Sequence, residues 1–159
     1  MLNLIIRNIE SQDIESVFEM HLQLQNTLAN LRPDINKKIT EISDEKAVFE
    51  KNLSIKGTKC MVAEIDNNIV AFSLSYICKT LEPKRYVKRK FAFIDELFVS
   101  AKYRHNGIAS KLIEYLIQYY KSKNISSIEL FVLGNNTNAY STYVNLGFVT
   151  QSIRMELTI

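Results

Sequence analysis

Asp95 and Glu96 interrupt an otherwise apolar run over residues 91–99, and Arg104, Gly107 and Ala109 punctuate the loop that follows it. Ile108, Ala109, Leu112, Ile113, Leu116 and Ile117 then recur at helical spacing, so that loop opens a helix. The first amides of a helix have no partner inside it and point along its axis, which suits an anion. Gly107 lets backbone approach a phosphate, Ala109 keeps the approach open, and Arg104 adds a charge. Read alone, six residues of this kind also fit a plain strand-to-helix turn. The two carboxylates are candidates for proton transfer. Adjacent strand residues face opposite sides, so at most one of them serves, and a bulge decides which. Glu96 is slightly preferred, against the competing view that either carboxylate is simply paired or solvated.

Several elements must position these groups. Residues 91–99 read as a strand covered on both faces. Residues 127–133 form the next strand, reached through the helix, and are expected to lie parallel to it across a right-handed crossover. Their ends then open a cleft at the Arg104 loop, where ligands of open α/β sheets sit. Upstream, Leu2, Leu4 and Ile6 alternate as a first strand. Ser11 is placed to cap a helix carrying Ile14, Val17, Phe18, His21, Leu22 and Leu28 on one face, which ends by Arg32-Pro33. His21 fits either a pocket-lining proton acceptor or a core-edge histidine with one hydrogen bond. A second helix opens at Ser43-Asp44-Glu45, carries Ala47, Val48 and Leu53, and stops at Gly57. Runs at 59–65 and 69–77, split by Asp66-Asn67-Asn68, make an antiparallel hairpin. Farther on, Asn135 or Asn136 caps a short helix on which Ala139 and Tyr143 share a face, and Gly147 ends it. Residues 148–159 supply a last strand or two, with apolar ends able to pair two subunits.

Arg104-x-x-Gly107-x-Ala109 after a strand resembles the pyrophosphate loop, Gln/Arg-x-x-Gly-x-Gly/Ala, of the GCN5-related N-acetyltransferase (GNAT) superfamily. Asn136, Ala139, Tyr143, Gly147 and Phe148 occupy every position of its other hallmark, Asn-x-x-Ala-x-x-x-Tyr-x-x-x-Gly-Phe. The resemblance implies one α/β (α+β) domain over residues 1–159 with about four helices. It also implies a central mixed sheet of six or seven strands, in the order β-α-α-β-β-β-α-β-α-β. It implies acetyl-coenzyme A as co-substrate, a primary amine of a small molecule or peptide as acceptor, direct attack in a ternary complex, and no metal. Leu97, Phe98 and Val99 would hold the pantetheine arm and polarise the thioester carbonyl through strand amides left free by a bulge or by splaying of the strands. Arg104, His105, Asn106, Gly107, Ile108, Ala109 and Ser110 would hold the diphosphate, and Asn136 the pantetheine or the helix end. An ammonium of pKa near ~10 must lose a proton before attack, the task of Glu96 or Asp95. Tyr143, with Tyr140 as fallback, would protonate the leaving thiolate and touch the cofactor.

Composition narrows the alternatives. The 159 residues have single-domain size, and no apolar run approaches the ~20 residues that cross a bilayer. Without a leader pattern at residues 1–7, a cytoplasmic location is expected. A formal charge of +3 favours an anionic ligand but is far from a nucleic-acid footprint. The basic stretch of Lys84, Arg85, Lys88, Arg89 and Lys90 reads as a solvated loop or as a contact for an acidic acceptor or phosphate. Cys60 and Cys78 lack zinc-site spacing and suit the core. A non-catalytic acyl-coenzyme A binding or sensing module is the alternative to an enzyme.

Overall fold

The computed structural model describes residues 3–32, 44–80, 87–157 and 159. Among them, β1 (Leu4–Asn8), β2 (Thr58–Ile65), β3 (Asn68–Lys79), β4 (Lys90–Val99) and β5 (Ile128–Leu130) form one sheet in that spatial order. The first three pairings are antiparallel and β4–β5 is parallel. The turn between β2 and β3 is made by Asp66 and Asn67, both at positive φ (50° and 61°), as a two-residue primed turn requires.

Helices cover both faces. α1 (Ile14–Leu31) and α2 (Glu45–Leu53) bury Val17, Phe18, Met20 and Phe49 against Cys60, Val62, Phe72, Leu74 and Phe98. α3 (Ile108–Ser122) fills the other face with Ile108, Leu112, Ile113, Leu116 and Tyr120 against Met61, Ala63, Ala71, Ala92 and Ile94. α4 (Thr137–Asn145) adds Tyr143, and Leu146 and Phe148 follow it onto that same cluster. Arg7 of β1 clamps the start of the chain. Its guanidinium donates to both Asp13 oxygens at 2.6 and 3.0 Å and to Glu64 of β2 at 2.8 Å.

Several boundaries differ from the sequence reading. Ser11 is not the cap: a 3-10 turn, Ser11–Asp13, precedes α1, and Glu10 and Asp13 form its capping box. On α2 the buried residue is Phe49, and Val48 is 48% exposed, because the helix presents its position-49 stripe to α1. The described residues hold five strands of the sheet rather than six or seven. Residues 149–157 are exposed and pair with no strand among the described residues, and β5 stops at Leu130 rather than 133. Pro33, Asp34, Ile35, Ser43, Lys84 and Arg85 lie outside the described residues. No described helix is long and apolar enough to cross a membrane.

Candidate active site

The site is built around β4. Its register against β3 jumps from Leu74↔Glu96 to Ser75↔Ile94, which leaves Asp95 as the extra residue of a bulge. The bulge swaps the faces of the strand. Ala92 and Ile94 belong to the α3 side, whereas Phe98 belongs to the α1–α2 side, and Leu97 and Val99 turn to α3. Both devices expected to free strand amides are present, since β5 pairs with β4 only at residues 92–94. Past Ile94 the β4 edge facing β5 has no strand partner among the described residues.

Glu96 is swung under α1 and α2, where it is 8% exposed. His21 of α1, itself 5% exposed, places Nδ1 2.8 and 3.0 Å from the two Glu96 oxygens and Nε2 3.0 Å from Glu45 of α2. Phe18 and Phe49 wall the imidazole, with ring centroids at 5.9 and 5.0 Å. Burial pulls the His21 pKa down, but Glu96 and then Glu45 outweigh it, so the imidazolium is favoured beyond its ordinary range. Burial pushes Glu96 up; the hydrogen bond and charge of His21 hold it back, and Asp95 and Glu45 add to the rise. A protonated His21 bridging two carboxylates is the state this geometry favours, because both ring nitrogens then donate. Asp95 is exposed and accepts from Tyr76, whose phenol burial and that carboxylate raise well above its usual range.

The loop after β4 carries the anion-binding features. Arg104 donates Nε to the Val99 carbonyl at 3.0 Å, which pins the loop to the end of the strand. Its guanidinium carbon lies 5.8 Å from the Phe98 ring centroid. Asn106 donates to the Tyr103 and Arg104 carbonyls at 3.2 and 3.0 Å, and His105 is exposed at φ 63°. Gly107 sits at φ 73° as the N-cap of α3, and Ile108 is buried beneath it. The first amide of α3 with a partner is that of Lys111, which donates to the Gly107 carbonyl at 3.1 Å. Those of Gly107, Ile108, Ala109 and Ser110 make no hydrogen bond to any described residue.

Asn136 caps α4 by accepting from the Ala139 amide at 3.4 Å, and Asn135 donates to the Leu31 carbonyl at the end of α1 at 2.7 Å. Tyr143 lies half-buried against Phe148 and against the same cluster as Leu97, Val99 and Ile108. Burial raises its pKa, so the phenol keeps its proton at neutral pH. Tyr140 is 46% exposed and shares a hydrogen bond with Thr150.

Sequence reasoning undervalued His21 and missed Glu45. His21 was read as a pocket-lining proton acceptor or a core-edge histidine with one hydrogen bond, whereas it has two carboxylate partners; Glu45 was read only as part of a helix start, and the face of Glu96 could not be assigned without the bulge. Of the basic stretch, Arg89 is occupied within the fold. It pairs with Glu129, donates to Ser127 at 2.8 Å and stacks over Phe91. No metal-ligating cluster of His, Cys, Asp and Glu occurs among the described residues.

Residues 25–148 match the model of the acetyltransferase (GNAT) family. The chain is 29% identical over 140 residues to an uncharacterized N-acetyltransferase of Archaeoglobus fulgidus, a match spanning 88% of this chain and 89% of that protein. A crystal structure of a mutant of the BH1408 protein from Bacillus halodurans superposes with TM-score 0.89 at 28% identity, over 98% of this chain and 99% of that one. The aminoglycoside N-acetyltransferase AAC(6')-Iy, in complex with CoA, shares the fold with TM-score 0.75 at 17% identity, over 100% of this chain and 96% of its own.

Proposed function

Because the chain belongs to the acetyltransferase (GNAT) family, we propose that it transfers the acetyl group of acetyl-coenzyme A to a primary amine by direct attack in a ternary complex. The observation that carries this reading is the set of four unpartnered amides, Gly107 to Ser110, at the start of a 15-residue helix beside the end of β4. Such amides, with the helix dipole behind them, fit a diphosphate, and the free guanidinium nitrogens of Arg104 add charge. Leu97 and Val99, past the point where β5 leaves β4, offer strand amides to the pantetheine arm and to the thioester oxygen. The amide of Phe98, two residues before that of Ser100, which donates to the Val70 carbonyl at 2.9 Å, faces β3 and is not available to them. Asn136 is placed to support that arm from the start of α4.

Acetyl-coenzyme A supplies the activated acyl group; the protein supplies proton traffic and placement. Glu96 takes the proton from the acceptor ammonium, directly or through water, and is the better candidate because the bulge leaves Asp95 on the exposed side. His21 acts as a positioning residue. Donating to Glu96, it fixes the carboxylate and holds down a pKa that burial alone would raise further. The amine nitrogen bonds to the acyl carbon, the carbon–sulfur bond breaks, and Tyr143, kept protonated by burial, gives its proton to the departing thiolate. The second nitrogen proton, shed as the amide forms, leaves through solvent, from which Tyr143 is reprotonated. An acceptor that enters between α1, α2 and the end of β4 meets Glu45, which favours a cationic amine.

A thiol-release assay with acetyl-coenzyme A across a panel of polyamines, amino sugars, amino acids and peptides tests the proposal. Turnover with at least one amine, lost in Glu96→Gln and Tyr143→Phe, is the expected result. Stabilisation by acetyl-coenzyme A with no amine turned over would instead mark a binding or sensing module.

A further inference from the structure

Three aromatic rings beside the carboxylate site belong to neither core. Tyr76 of β3 and Phe93 of β4 are register partners whose ring centroids lie 6.2 Å apart, and Phe131, directly after β5, meets Phe93 edge-on at 5.3 Å. None of the three is part of the cluster under α1 and α2 or of the one under α3. Ala92 and Ile94 point to α3, so Phe93 between them points to the opposite face, where the cluster beneath α1 and α2 ends at Leu74 and Phe98. Tyr76 and Phe93 are half-buried and Phe131 is 88% exposed, so the rings form an open shelf. A lone exposed phenylalanine is ordinary on a protein surface; rings in mutual contact and continuous with a buried carboxylate mark a binding surface.

The shelf leads away from the reacting groups. Tyr76 lies two residues along β3 from Leu74, the partner of Glu96, so the first ring stands roughly 7 Å along the strand from the proposed base. Its phenol donates to Asp95 at the bulge. Phe131 follows Leu130, the last β5 residue paired with β4, and so borders the gap that opens beside Leu97, where the thioester is proposed to lie. Charge decides what the shelf receives. Glu45, Asp95 and Glu96 set three carboxylates against the one imidazolium of His21, which leaves this end net negative, and Arg89 is taken up by Glu129. An occupant must bring a cation to the carboxylates and a flat apolar surface to the rings. A polyamine or an amino sugar meets only the first demand, whereas an amine on a short arm from an aromatic ring meets both.

Resting on the acetyl-transfer reading above, we infer that the acceptor is an aromatic primary amine, its ammonium at Glu96 and its ring on Tyr76, Phe93 and Phe131. The test compares kcat/KM for thiol release from acetyl-coenzyme A within matched pairs: phenethylamine and propylamine, phenylalanine and alanine, and one peptide begun with phenylalanine or with alanine. A ring advantage of about tenfold or more in at least one pair is expected, and the pair that shows it identifies the source as free amine, amino acid or peptide. Phe131→Ala, with its melting temperature as a folding control, cuts that advantage about fivefold or more. An advantage absent from every pair, or one that survives Phe131→Ala, overturns the inference. So does faster turnover of spermidine or glucosamine than of any aromatic amine. If no amine releases thiol, the transfer reading falls, and calorimetry of the same pairs on protein saturated with coenzyme A decides the ring site separately. Binding of the ringed member about tenfold tighter upholds that site, and equal affinities overturn it.

Discussion

Glu96 and His21 form the pair on which the proposed chemistry turns, and neither role is a property of one residue. If Glu96 is the base, Glu96→Gln lowers kcat/KM about 10²–10⁴-fold in steady-state thiol release with little change in the affinity for acetyl-coenzyme A. His21→Gln has a signed effect on pH dependence. His21 lowers the Glu96 pKa while burial, Asp95 and Glu45 raise it, so removing the imidazole lets that pKa climb. The carboxylate must be ionised to accept a proton, and the acid limb of kcat/KM therefore moves to higher pH in the variant. A histidine that only filled the core would reduce stability and leave the limb in place. From the sequence Glu96 could be named but His21 could not be joined to it: they lie 75 positions apart, and only the face swap at Asp95 brings them together.

At the scale of elements, the strand–loop–helix unit from β4 to α3 was the most legible part of the chain, because apolar period and a glycine loop both mark it. The burial pattern of β4 alternates without a break across Ile94, Asp95 and Glu96, so no sequence periodicity betrays the bulge. The shortness of β5 was equally hidden, since residues 127–133 have strand composition throughout and only the course of the chain decides where pairing stops. Gly107 offers a test of the loop. An added Cβ meets nothing within 4 Å, so the cost of Gly107→Ala comes from φ 73° rather than from a clash. Destabilisation of about 1–2 kcal/mol is expected in thermal or denaturant unfolding. Gly107→Asn recovers part of it, because asparagine tolerates left-handed backbone better. In both variants the KM for acetyl-coenzyme A rises more than kcat falls.

Over the whole molecule, the order of strands and helices followed from the sequence, whereas the long-range ties did not. Arg7, Asp13 and Glu64 join β1, the entry to α1 and β2 across 57 positions, and nothing local announces the match. Arg7→Ala leaves Asp13, only 4% exposed, as a buried carboxylate without its cation, a loss on the order of 3 kcal/mol in denaturant unfolding. Arg7 holds the Asp13 pKa below 3.8, so its contribution is complete above that value and is lost as pH falls through the folded-state pKa. The gap between variant and wild type should accordingly be full at neutral pH and narrow in acid. The exposed segment after α4 belongs to this scale too, for residues 148–159 read as a last strand or two, whereas 149–157 join no strand among the described residues. The claim beneath all of this is that the amides opening α3 receive the diphosphate of coenzyme A, and a titration of ¹⁵N-labelled protein with coenzyme A reads those amides one by one. Saturable shifts at Gly107, Ile108, Ala109 and Ser110 are the expected result; binding that leaves these four unmoved while others respond would contradict it.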